Sequence, residues 1–173
     1  MQTRHFVGSL SLLAAAAAGT AIGLSHVATA ATAMDRIVVF EPDTERVEVF
    51  VDVGDAGFGA GDLVFEQAGL VWPDNGDAAG RVVTRIQVVE GRVAPSDEDP
   101  VGDFVFYLDC SVELDEGSLD FHGAGEIADL PGSGLTFAIS GGTGAYVGAA
   151  GTVHITPAEV DGISGVQLAF DVG

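Results

Sequence analysis

Lysine is absent from this 173-residue chain, cysteine and tryptophan each occur once, and six arginines face 26 aspartates and glutamates. The formal net charge is −20, with no basic stripe to neutralise phosphate, which excludes nucleic acid and anionic lipid surfaces as partners. A single cysteine, Cys110, excludes a multi-disulfide scaffold. Together with His122 and His154 it has no recognised metal-ligand spacing, so no metal centre is expected. After residue 34 no ten-residue window carries a helical apolar stripe, which removes helix bundles and doubly wound folds. Apolar residues nevertheless make up 47% of the chain and recur periodically, so a packed core is expected rather than disorder.

Residues 1–33 contain no acid. Arg4 and His5 precede an uncharged run from Phe6 to Leu24, and Ala28-Thr29-Ala30 and Ala31-Thr32-Ala33 both fit a small-residue cleavage site. The run is long enough to consider as a membrane anchor, but its Ala, Gly and Ser content is only weakly hydrophobic. The expectation is a cleaved secretory signal over residues 1–33, no stable membrane anchor, and a secreted bacterial protein comprising one domain, residues 34–173. In an oxidising compartment the lone Cys110 is expected to be a small buried hydrophobe.

From Arg36 onward the apolar period is two. Val47, Val49, Val51 and Val53 alternate with Glu48, Phe50 and Asp52, and Phe104, Phe106, Leu108, Cys110, Val112 and Leu114 form one face of a long strand. Further runs are Ile37–Glu41, Leu63–Ala68, Arg81–Glu90, Leu119–Gly123, Leu135–Ser140, Thr152–Thr156 and Val166–Val172, each bounded by Gly, Asp, Asn or Pro. This predicts an all-β fold, a small closed antiparallel β-barrel of about eight strands. Strands apolar on both faces and glycines near strand corners favour a barrel over a sandwich.

Three motifs invite sharper readings. Ser140-Gly-Gly-Thr-Gly-Ala-Tyr-Val-Gly148 resembles a phosphate loop, but a strand pattern follows it where a helix is required, so a glycine-rich turn is expected. The acidic stretches Asp52 to Asp62, Asp74–Asp77 and Asp97–Asp103 lack the ligand spacing of a calcium loop and read as solvated turns. Polar residues interrupting apolar runs are more informative: Glu41, Glu66 and Gln67, Arg85 and Gln87, Tyr107 and Asp109. A charge among apolar strand neighbours either faces a lumen, where desolvation fits it for proton transfer, or alternates outward to solvent.

Three segments together resemble the allene oxide cyclase and dirigent barrel superfamily. Gly61-Asp-Leu-Val-Phe65, with Gly80 leading into Arg81–Glu90, is similar to the early strand pair of allene oxide cyclases. Phe104-Val-Phe106 followed by Gly117-Ser-Leu-Asp-Phe-His-Gly-Ala124 resembles a dirigent pattern, and Ile139–Gly151 carries the Gly-Gly-Thr-Gly turn shared by both. The resemblance implies an eight-stranded barrel with an apolar cavity, often trimeric, whose relatives steer ring closure or radical coupling without a cofactor. The plant functional residues do not carry over: Glu41-Pro42-Asp43 stands where a Glu-x-Asn is expected, and the dirigent arginine is Ala150.

The leading expectation is a secreted barrel that binds a small hydrophobic molecule in its lumen and directs its cyclisation or isomerisation without a cofactor. Glu41 is the expected acid or electrostatic group, with Arg85 or Tyr107 orienting a substrate oxygen. Trp72, Phe104, Phe106, Phe121 and Phe137 are the expected apolar wall. The alternative is a non-catalytic extracellular carrier that sequesters a lipid or secondary metabolite.

Overall fold

A computed structural model describes residues 35–44, 46–53, 59–92 and 103–173. The described residues form nine strands: β1 Asp35–Pro42, β2 Val47–Val51, β3 Leu63–Val71, β4 Ala78–Arg92, β5 Asp103–Leu114, β6 Gly117–Glu126, β7 Leu135–Gly142, β8 Gly151–Val160 and β9 Ile163–Val172. All neighbouring strands pair antiparallel, in the order β1-β9-β8-β7-β6-β5-β4-β3-β2, and a further β1–β3 pairing closes the sheet on itself. The result is the closed eight-stranded barrel expected from the period-two pattern, with β2 as an extra strand. Each expected run is present as a strand; most are extended by a few residues, whereas the Val47–Val53 run stops at Val51. No helix among the described residues is long and apolar enough to cross a membrane. The segment 1–33, to which the cleavage expectation applies, lies outside the described residues.

Alternation decides the interior. On β3 the buried residues are Val64, Glu66, Ala68 and Leu70; on β4, beyond Ala79 at its irregular start, they are Val82, Thr84, Ile86 and Val88; on β5 they are Phe104, Phe106, Leu108, Cys110 and Val112. Side chains on successive strand positions point to opposite faces, so each set lines one face, the inside. The valines of β2 belong to the outer face: Val47 is 62% exposed and Val49 43%, while Phe50 on the other face packs against the core.

One half of the interior is aromatic. The Phe121 ring lies 6.0 Å from that of Phe137 and 5.9 Å from that of Phe170, and Phe104 lies 5.9 Å from Phe106. Such centroid separations are those of favourable aromatic pairs. Gly123, on β6, makes room for them, since a Cβ there would stand 2.8 Å from Phe137 Cδ1. Any side chain at that position would force the ring out of its place.

The Gly-Gly-Thr-Gly segment is a turn, as expected, and its role is to fasten two hairpins together. Thr143 N–H donates to Ser118 O (3.0 Å), Ala145 N–H donates to Glu116 O (2.8 Å), and Ser118 N–H donates to Thr143 Oγ1 (3.1 Å). Gly144 has φ +59°, and a Cβ there would stand 2.2 Å from Glu116 O. Only glycine satisfies both the left-handed backbone and that close approach.

Candidate functional site

Glu41, Arg46 and Glu66 meet inside the barrel. Glu41 is the last inward residue of β1, before Pro42, and is 3% exposed. Glu66 is at the middle of β3 and is 5% exposed. Arg46 immediately precedes β2, whose first residue, Val47, pairs with Gln67, so continuing that register sets Arg46 across from the small inward residue Ala68. The Arg46 Nη2 forms an ion pair and hydrogen bond with Glu41 Oε1, and its Nε lies 2.6 Å from Glu66 Oε1. One cation thus bridges two carboxylates, and all three side chains are nearly withdrawn from water.

Two carboxylates and one guanidinium sum to a net negative charge in a low-dielectric site, which favours retention of a proton. Burial pushes Glu41 up to about 7, with Arg46 opposing and the charge of Glu66 adding to the rise. Glu66 is also raised, again mainly by burial and against the pull of Arg46. Glu48 pairs with Glu66 across β2 and β3; although the residue as a whole is exposed, partial desolvation and then the Glu66 charge push it up to about 7. The site therefore holds a carboxylic acid that titrates near neutrality, a property suited to proton donation.

The sign of the accompanying stability effect follows. A carboxyl whose folded pKa is raised adds stability that is complete below its ordinary value of 4.5 and is lost as pH rises through about 7. Glu41→Gln keeps the shape and removes the titration. It is expected to be more stable than the parent at pH 8, by on the order of 2–3 kcal/mol at most, and nearly equal to it at pH 5. Urea unfolding at the two pH values checks this, and equal differences at both would exclude the assignment.

The polar stripe continues around the inner wall. Glu66 pairs with Thr84, Thr84 with Cys110, and Cys110 with Phe121, so one inward row runs from carboxylate to thiol to aromatic ring. Thr84 Oγ1 and Cys110 Sγ lie 3.5 Å apart. Burial pushes the Cys110 thiol far above its ordinary value, the nearby carboxylates adding to the rise, so it is not a nucleophile in the closed protein. Cys110 is the buried small hydrophobe that its isolation implied.

The other expected site residues divide between the two faces. Phe104, Phe106, Phe121 and Phe137 face inward and are at most 3% exposed. Trp72 follows β3 and packs, half-buried, against the same core. Arg85 and Tyr107 do not join Glu41: odd-numbered positions here point outward on β4 and β5, so neither reaches the lumen. Arg85 forms an ion pair with Asp109 on the outer surface, and the Tyr107 ring lies 6.2 Å from that of His122. A groove of about 470 Å³ on that outer face is lined by Phe65, Arg85, Asp109, Ser111, Asp120 and His122, among others. Their proposed role in orienting a substrate beside Glu41 is corrected on that geometry.

Arg46 was not anticipated, because Asp43-Thr44-Glu45-Arg46 reads as a solvated charged turn. Its one signal was an arginine following the inward-reading Glu41 in a chain that has few cations. The acidic stretches behave as turns where they are described. Asp62 accepts backbone N–H groups from Val53 and Gly59, both at 2.7 Å, and Asn75 Oδ1 accepts from Asp77 N at 3.0 Å. Most of the Asp97–Asp103 stretch lies outside the described residues. The described residues contain no cluster of three or more His, Cys, Asp or Glu able to hold a metal ion.

No family model matches the sequence, and no curated protein matches it. Solved structures do. A pyocyanin demethylase superposes with a TM-score of 0.60 at 16% identity, covering 80% of this chain and 99% of its own. A nonspecific heme-binding cyclase that catalyses a 4 + 2 cycloaddition in neoabyssomicin biosynthesis gives 0.58 at 19% identity, over 81% and 68% of the two chains. A pterocarpan synthase dirigent protein gives 0.56 at 17% identity, over 88% and 98%. Identities this low establish fold alone, and that fold is the antiparallel β-barrel these proteins share with this chain.

Proposed function

We propose that this protein is a secreted barrel that takes a small hydrophobic molecule into its lumen and directs the cyclisation or isomerisation of that molecule without a cofactor. The observation that carries the reading is the Glu41–Arg46–Glu66 cluster, an acid titrating near neutrality inside an otherwise apolar barrel. Such a group is unfavourable to bury, and a core that needed only packing would not contain it. In the proposed reaction the protonated carboxyl donates to, or stabilises, an oxygen of the substrate where charge develops. Arg46 holds the carboxyl in place, and the Phe121 side of the row supplies apolar contact. The names of the structural neighbours, two of them a cycloaddition catalyst and a dirigent synthase, support this class of chemistry.

Native mass spectrometry of the protein purified from its own organism's culture medium tests the binding step. The expected result is a retained small apolar molecule, together with the subunit number. Incubation with that molecule then separates catalysis from carriage, since a carrier returns it unchanged. If turnover is found, Glu41→Gln is expected to lower it by about 100-fold or more with the fold retained. Unchanged turnover would remove Glu41 from the mechanism, and an empty protein that also rejects apolar dyes would remove the lumen reading.

A further inference from the structure

The wall of the barrel is incomplete on the β1 side of β3. The first half of β3, Leu63–Gln67, pairs with β2, and Val71 pairs with Phe40 of β1, the single register pair between those two strands. Ala68, Gly69 and Leu70 lie between these two ladders with no strand partner on that side. The cause is local. Pro42 has no N–H to donate and ends β1, and β2 does not begin until Val47. By comparison, β1 pairs with β9 through eight residues and β4 with β5 through twelve.

Arg46 stands at this gap. It immediately precedes β2, its guanidinium is inside, and it binds Glu41 on β1 on one side of the opening and Glu66 on β3 on the other. Among the described residues β1 and β3 are thus joined by close packing, one ladder pair and one bridging cation, where other neighbouring strands have a longer ladder. The charged groups interacting with Arg46 are Glu41 from β1, Glu48 from β2 and Glu66 from β3, and Asp43 acts on the two buried carboxyls.

We infer that Arg46 is the latch of a lateral opening between β1 and β3, through which the lumen is reached when the Glu41–Arg46–Glu66 bridge lets go. As the route of a small substrate this rests on the function proposed above. The opening itself is a property of the folded chain and is measured without a ligand. Cys110, the one thiol of the sequence, is the internal reporter: it is buried, points inward, and lies two strands from Glu66 in the same row.

The experiment follows labelling of Cys110 by dithiodipyridine, together with amide hydrogen exchange, in the parent and in Arg46→Met and Arg46→Lys. Val153→Ala, at a buried position on β8 away from both Cys110 and the β1–β3 seam, serves as the destabilised control. The expected result is labelling at least tenfold faster in Arg46→Met and intermediate in Arg46→Lys, whose single ammonium bridges two carboxylates poorly. The added labelling is expected to be insensitive to low urea, as local opening is, with faster exchange confined to residues 38–42 and 68–71. If Arg46→Met does not fold, the comparison is made with Arg46→Lys alone. Labelling that rises with urea as steeply as global unfolding in the arginine variants, or faster exchange spread evenly over the sheet, would overturn the latch. Neither result bears on whether the lumen binds a ligand, so this inference and the proposed function fail separately.

Discussion

Arg46→Met is expected to lower the stability of the protein by about 3–5 kcal/mol at pH 8, and by much less at pH 5. The substitution leaves two nearly buried carboxyls, Glu41 and Glu66, with no cation between them. At pH 8 each must either stay ionised in a dry site or take a proton from a solution that holds few, and both alternatives destabilise the native state. At pH 5 Glu41 is already protonated, because burial has raised it to about 7, and burial shifts Glu66 in the same direction, so less uncompensated charge is left and more of the loss is the packing of the arginine stem. Urea unfolding at the two pH values reads the difference directly. Equal losses at both would mean that Arg46 acts through its volume and that the charge cluster is incidental. The converse substitution, Glu41→Gln, relieves the excess negative charge and has the opposite sign at pH 8.

Phe121→Ala is expected to remove about 3–5 kcal/mol and to lower the melting temperature by roughly 10 °C or more. Phe121 is 1% exposed and sits against both Phe137 and Phe170. Collapse into the vacated space is opposed by the backbone, since the neighbouring inward position is Gly123 and has no side chain to swing into it. The loss should be nearly the same at pH 5 and pH 8, which distinguishes it from the Arg46 variant. A loss below about 1 kcal/mol would show that the ring lines a hollow instead of closing a core, because a wall residue facing space forfeits little packing.

The strands were legible because period two survives wherever one face is buried, and the interior faces of β3, β5 and β4 from Val82 onward follow it. Glu41 was legible as a charge ending an apolar run, and Glu66 as a charge within one. What could not be read was facing. Arg85 and Tyr107 occupy the same kind of position in their strands as Glu66 does in its own, a polar residue within a largely apolar run, yet they fall on the outer face. Both faces of β4 and β5 carry apolar residues, so composition alone does not say which is inside. Val83 and Phe65 show the ambiguity directly, being outward and each 41% exposed. Arg46 escaped for a different reason: its burial depends on the gap left where β1 stops at Pro42 and on the small side chain of Ala68, a long-range arrangement that no local pattern encodes.

The position of β2 at the end of the sheet order has a separate consequence. Among the described residues its other side pairs with no strand, an edge onto which another extended chain can add, and its outer face offers the exposed Val47 and Val49. What guards it is negative charge: Glu48 within the strand, Asp52 just beyond it, and a surface of the same sign all around. Acid removes that guard while it strengthens the interior, since Glu48 and Glu41 both take up protons on the way down from neutral pH. The conditions in which the folded monomer is most resistant to unfolding are thus also those in which its copies repel one another least.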